Sequence, residues 1–338
     1  NNMKFPAKIL VLLFLLLSLG GCCGFDCNND DDDNKNPTLL TLGFSDSIPE
    51  DLKEVVIEVD SITFQRTGSK DVVVDAFTIP EQNITNAETF SVDLLNYPGF
   101  AQLEVLTDFQ ISPATYSAVV IKIIANGINS SYVLEADDTA KAITIGNGSG
   151  NLSLDGMRLF SGKQAFTVEF SLAQALQLQL DGRYLLATDG VRIENNTTAA
   201  RLSGSIEKSL FNTATICAEK PDPEVGNRVY LNEGNAFSTN DLLADVFTSD
   251  SNPVPPDIAV APFAVASLSK VASTGNWVYA FGYVPAGDYT MAFSCNTATD
   301  NAVNWNDLTI PLPVDQVYKL TLSDGDNAVC NIAEGASC

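Results

Sequence analysis

The sequence predicts an all-β protein of two tandem Greek-key β-sandwiches, Ig-like or transthyretin-like, and three observations predict it. Short runs rich in Val, Ile, Thr, Phe and Tyr alternate apolar with polar residues, the period-2 pattern of a strand with one buried face. Clusters of Gly, Asn, Ser, Asp and Pro separate these runs, as turns between neighbouring strands require. The pattern holds no long amphipathic helix, and many short strands without helices indicate a sandwich or barrel.

The chain opens on an export-type segment. Met3 reads as the initiator, Lys4 and Lys8 supply a positive flank, and Ile9 to Leu17 is built of Leu, Val, Ile and Phe alone. This run is too short to cross a bilayer, which takes about 20 apolar residues. It fits the apolar core of a secretory signal. Leu19-Gly20-Gly21-Cys22 closes it. Small residues before a Cys let the extended chain enter a peptidase cleft and leave the thiol free to receive diacylglycerol. The segment resembles the lipobox of bacterial lipoproteins, which implies removal of residues 1–21 and acylation at Cys22. Each buried methylene contributes about 0.8 kcal/mol, so several chains hold firmly. The next residue is Cys23 rather than Asp. By resemblance to enterobacterial sorting rules this implies the outer membrane or cell surface, with the periplasmic face left open.

Residues 22–37 form an acidic tether. Asp30 to Asp33 repel one another and keep it extended. Residues 38–206 read as one β-sandwich module. The strand Val55 to Phe64 is followed by a turn at Thr67 to Lys70 and by Val72 to Val74. Further β-rich runs cover 101–107, 116–125, 131–135, 164–170 and 183–194, with one or two helical turns allowed between Leu172 and Leu180. Residues 207–338 read as a second sandwich, with strands at 227–232, 258–267, 276–284, 288–294 and 316–322 and a long loop from Thr248 to Pro256.

Both halves repeat one local pattern. Ser112 to Tyr116 and Pro285 to Tyr289 are small-residue turns leading a Tyr into a strand. This matches the corner tyrosine of Greek-key sandwiches, whose hydroxyl bonds back to nearby backbone. Trp277, Tyr279, Phe281 and Tyr283 alternate along one strand, so they are expected to share one face and pack in the core.

Three stretches of residues 40–206 carry a family resemblance. They are Phe44-Ser45-Asp46-Ser47-Ile48-Pro49 with Val55 to Phe64, then Ile111 to Ile124, then Val168-Glu169-Phe170 with Asp181 to Leu186 and Val191-Arg192-Ile193. Together they resemble the bacterial lipoprotein module known as domain of unknown function 4382. The resemblance implies a β fold and a surface location and no particular activity. Val284-Pro285-Ala286-Gly287-Asp288-Tyr289-Thr290 is similar to transthyretin-like and carboxypeptidase-regulatory sandwiches.

Six cysteines remain besides Cys22: Cys23, Cys27, Cys217, Cys295, Cys330 and Cys338. An even number in an exported chain suggests disulfides. The last four are expected to pair among themselves, either with Cys330–Cys338 closing a small terminal loop or as Cys217–Cys330 with Cys295–Cys338.

Composition narrows the chemistry. The chain has no His, 42 acidic and 18 basic residues, and a formal charge of −24. Loss of residues 1–21 removes two lysines and no acid, giving −26. Such acidity argues against nucleic-acid or anionic-lipid partners. Without His there is no Ser-His-Asp or Cys-His nucleophile and no ordinary transition-metal site. The expectation is a non-enzymatic, lipid-anchored envelope protein for binding, adhesion or structure, held to the membrane by its lipid and meeting a protein or glycan partner. One alternative is a carbohydrate-binding module using Trp277, Tyr279, Tyr283 and Trp305, with Asn304, Asn306 and Asp307 nearby. A second is a carboxylate-dependent glycoside hydrolase. No cofactor is expected beyond the lipid; a Ca²⁺ ion at Asp324 and Asp326 is a lesser alternative to a turn at Asp324-Gly325-Asp326-Asn327.

Overall fold

The computed structural model describes residues 36–47, 52–146, 148–212, 215, 217–238, 243, 245, 256, 258–300 and 305–338. The expected export segment, Cys22, Cys23, Cys27 and the expected tether as far as Lys35 lie outside the described residues. Residues 36–338 form one compact unit containing two lobes, each with its own hydrophobic cluster. The protein is all-β, and its sheets pack as sandwiches.

The first lobe packs a four-stranded sheet against a nine-stranded one. The smaller sheet runs Val191–Asn195, Gly162–Ser171, Thr38–Ser47, Leu103–Ile111. Thr38–Ser47 lies parallel to Gly162–Ser171 and antiparallel to Leu103–Ile111. The long antiparallel strand Leu52–Gln65 organises the larger sheet, pairing with Val72–Val74, Phe90–Asp93, Thr115–Ile123 and Tyr132–Glu135 along its length. Its alternation puts Val55, Ile57, Val59, Ile62 and Phe64 on the buried side. The apolar layer between the sheets includes Leu42, Phe44, Val168 and Phe170 from the smaller one. Phe44 meets Phe170 and Phe90 edge-on or tilted, the favoured aromatic geometry.

The second lobe packs Ser269–Lys270, Trp277–Val284, Ala200–Ile206 and Asn327–Val329 against Ala264–Ser267, Arg228–Glu233, Gly287–Ser294 and Val317–Leu322. Disulfides join Cys217 to Cys295 and Cys330 to Cys338, so the terminal-loop alternative holds and the crossed one does not.

The structure redraws several expected boundaries. Ala200–Ile206, read from sequence as the end of the first module, pairs with Trp277–Val284 and with Asn327–Val329 in the second lobe. The change of core therefore falls just before Ala200, not after Ile206. The run 183–194 is two strands, Tyr184–Leu186 and Val191–Asn195, separated by a 3₁₀ turn at Thr188–Gly190. The Gln/Ala/Leu-rich stretch forms one helical turn, Leu172–Ala175, and then joins the large sheet as Leu176–Leu178.

Candidate functional site

The two lobes meet on the outer face of the smaller first-lobe sheet. Because side chains alternate across a strand, placing Leu42, Phe44, Val168 and Phe170 inward sends Gly43, Ser45, Thr167 and Glu169 outward. Strand register sets Gly43 beside Thr167, Ser45 beside Glu169, and Glu169 beside Arg192. In an ordinary sandwich this polar row would face water. Here Ser45 and Thr167 are fully buried and Glu169 is 1% exposed, because strands Ala264–Ser267 and Trp277–Val284 of the second lobe cover them.

Arg192 ties the junction together. Its Nη1 donates to Ser171 Oγ at 3.1 Å and its Nη2 to the Gly282 carbonyl at 2.9 Å. Its Nε stands 3.3 Å from Glu194 Oε1, and the guanidinium lies 5.0 Å from the Phe263 ring centre, a cation–π contact across the lobes. Burial raises the Glu169 carboxyl to about 7, opposed by the Arg192 charge. Burial likewise raises Glu194 to about 7, with Arg192 again opposing. Thr167 Oγ1 lies 2.6 Å from Gln102 Oε1 and 2.8 Å from Asn196 Oδ1.

Glycines bring the two backbones close. A side chain at Gly282 would run into the Gly99 carbonyl. Gly282 leads into Tyr283, whose φ of 53° is unusual for a residue with a side chain. This backbone flip, opposite an irregularity in the pairing at Ala200–Leu202, removes Tyr283 from the expected aromatic stripe. Its hydroxyl instead donates to the first-lobe Phe100 carbonyl at 3.2 Å.

The other predicted residues have plainer places. Trp277, Tyr279 and Phe281 line the second-lobe core. Trp277 and Trp305 are each 8% exposed and Tyr279 2%, so the rings do not form the open stacking platform the carbohydrate-binding alternative needs. Tyr279 donates to the Cys330 carbonyl at 2.7 Å. Asn306 N–H caps the Asp245 carboxylate, at 3.1 Å from Oδ2; Asn304 lies outside the described residues. Asp326 accepts from Ser323 N–H at 2.7 Å, and Gly325 takes φ 71°, so the Asp324–Asn327 segment is a turn. Among the described residues no group of three or more Asp, Glu or Cys is placed to hold a metal. Both corner tyrosines bond back as their motif requires: Tyr116 to Ser112 O and Tyr289 to Pro285 O, each at 2.9 Å. Asp46 is fully buried, and its carboxylate accepts from Leu172 N–H at 3.4 Å, where the helical turn begins.

Beside the junction opens a cleft of about 680 Å³. Strand Asn151–Arg158 and the Thr188–Gly190 turn line it from the first lobe, and Glu233 and Val260–Phe263 from the second. Sequence reading missed this site. Its signal was present in Val168-Glu169-Phe170 and Val191-Arg192-Ile193-Glu194, charged residues set singly between apolar ones, but the same pattern describes a solvated strand face.

The chain is similar over its length to two solved structures. One, from Bacteroides ovatus, is described as a "putative adhesin"; it is 9% identical, with 94% of each chain covered and a TM-score of 0.18. The other, from Bacteroides fragilis, is described as a "putative cell adhesion protein"; it is 9% identical, with 88% of this chain and 91% of that one covered and a TM-score of 0.19. No curated protein matches the chain. Residues 38–188, which make up most of the first lobe, match the family described as domain of unknown function (DUF4382), the family their strand motifs resemble.

Proposed function

We propose that the protein is a lipid-anchored lipoprotein of the bacterial envelope, displayed at the outer membrane or cell surface, whose β-body binds a partner or builds structure rather than catalysing a reaction. The observation that carries this reading is the order of segments. A signal-like apolar run ends at Cys22, an acidic spacer follows, and strand Thr38–Ser47 begins directly after it at the centre of a sheet. Acylation of a thiol that heads an acidic spacer would hold the terminus at the membrane and leave the folded body free of it.

The fate of the body's titratable groups supports a non-catalytic role. Glu169 and Glu194, the carboxyls with values raised to about 7, are engaged at the lobe junction, and Glu169 is closed from solvent by the second lobe. Neither lines the cleft beside the junction, whereas paired-carboxylate hydrolysis requires its two carboxyls to flank the bound glycosidic bond.

Replacing Cys22 by Ala tests the anchor. With radiolabelled fatty acid and membrane fractionation, the parent chain is expected to take up label and sediment with membranes. The Cys22→Ala chain is expected to lose the label and either remain unprocessed or appear in the soluble fraction. A Cys22→Ala chain that is still cleaved and still membrane-bound overturns the anchor.

A further inference from the structure

The cleft beside the lobe junction has a consistent chemistry. Three carboxylates line it: Asp155 on strand Asn151–Arg158, Asp189 in the 3₁₀ turn, and Glu233 at the end of Arg228–Glu233. All three residues are exposed. The one cation in the lining, Arg192, directs its guanidinium to Ser171, the Gly282 carbonyl and Glu194. Its charge therefore belongs to the joint.

A separate observation points to an absent group. Gln174 lines the same cleft and is 4% exposed. Its Nε2 donates to the Asp189 carbonyl at 3.3 Å, while its buried Oε1 finds no hydrogen-bond donor. A buried acceptor left without a donor is unfavourable and rare in native proteins. Apart from the hydroxyls of Ser153 and Thr188, the side chains offered to a ligand accept hydrogen bonds and do not donate them. Leu154, Val260 and Pro262 supply apolar wall, suited to the aliphatic stem of a group whose charged head sits in polar surroundings.

We propose that this cleft binds an organic cation, an alkylammonium or guanidinium group on an aliphatic stem, held by Asp155, Asp189 and Glu233 with Gln174 Oε1 as an additional acceptor. The proposal rests on the surface-binding reading above and names its ligand class. An anion would be repelled, and a neutral sugar, although its hydroxyls can donate to carboxylates, would leave the three negative charges uncompensated. Two sources carry the chemistry: a free polyamine, or a Lys or Arg side chain of a peptide. Asn151–Arg158 is the end strand of the large sheet and, among the described residues, pairs only with Thr115–Ile123, so a peptide could also pair along its outer edge.

The test is calorimetric titration of the full chain with spermidine and, separately, with an end-blocked Gly-Arg-Gly-Arg-Gly peptide, at low and at high salt. Saturable binding of either probe is expected, weakening as salt rises. The probe that binds identifies the source, and binding of either supports the site. The double variant Asp155→Asn, Glu233→Gln changes only exposed groups and is expected to bind about tenfold more weakly, the scale of two charge contacts near a surface. Gln174→Ala is expected to weaken binding by a smaller factor, and Glu334→Gln, far along the chain on an exposed tail, to leave it unchanged. Absence of binding by both probes, equal binding by the double variant, or equal competition by an uncharged disaccharide overturns the proposal. Each of these results leaves the Cys22 fractionation outcome untouched, so loss of the site and loss of the anchor are told apart.

Discussion

The smaller sheet of the first lobe buries both of its faces, and the two are held in opposite ways. On the inner face Phe44, Val168 and Phe170 are fully buried among other apolar side chains. On the outer face Ser45, Thr167 and Glu169 are just as buried, yet Ser45 donates to the Tyr97 and Gly99 carbonyls, Thr167 meets the Gln102 and Asn196 amides, and Glu169 lies by the Ser45 hydroxyl and the Arg192 guanidinium. The inner face is stabilised by removal of apolar surface from water, which is indifferent to direction. The outer face is stabilised only where each polar atom finds its partner at the right angle and distance, because an unpaired buried polar group is costly. One face therefore supplies cohesion, and the other fixes how the second lobe sits.

The largest effect expected from this contrast is on the inner face. Phe170→Ala should lower unfolding free energy by about 3–5 kcal/mol, the range for emptying a large aromatic site, read from denaturant unfolding. A loss below about 1 kcal/mol would mean that the inner layer is less tightly packed than its burial indicates.

Next is the close approach across the joint. Gly282→Ala puts a methyl group into the Gly99 carbonyl and should cost about 1–3 kcal/mol through overpacking. The loss should be local. Limited proteolysis near residues 196–199 should speed up while the near-ultraviolet signal of the second-lobe aromatics stays. Uniform destabilisation of both lobes would instead show that the joint and the cores unfold as one.

The joint should also respond to pH with a definite sign. Burial raises Glu169 and Glu194 to about 7 from an ordinary 4.5, so the folded state holds protons that the unfolded chain has released. Their contribution is complete below pH 4.5 and is lost as pH rises through 7. Across that window the parent protein should lose on the order of 1–2 kcal/mol relative to Glu169→Gln, which cannot ionise. Parallel stability curves for parent and variant between pH 5 and 8 would remove Glu169 from this role.

The smallest effects compare the two corner tyrosines. Tyr116→Phe and Tyr289→Phe each delete one hydroxyl bond to a backbone carbonyl four residues earlier, and each should cost about 1 kcal/mol. Similar values by thermal unfolding would show that the motif does the same work in both lobes. A markedly larger loss at Tyr289 would point to its neighbours Phe263 and Glu233 at the cleft.

Much of the fold was legible because strands announce themselves locally. Leu52–Gln65 shows its alternation and its following turn within some twenty residues, and both Tyr corners are complete within five. The errors share a cause. Ala200–Ile206 carries a good strand pattern, but nothing in seven residues says which sheet receives it. Tyr283 fits the stripe begun at Trp277 until a left-handed backbone angle turns it to the other lobe. The candidate site was the least legible part, since Glu169 and Arg192 are neighbours only through the pairing of strands more than twenty residues apart.

By itself, then, the sequence determined the strand-rich character of the chain, the two corner motifs and the family resemblance of the first module, all of which depend on residue type at short spacing. Tertiary structure decided the disulfide partners, the home of Ala200–Ile206, the burial of Glu169 and the existence of the cleft. The physical reason is that alternation states which residues share a face of a strand, whereas what covers that face, water or a second lobe, depends on chain that is distant in sequence.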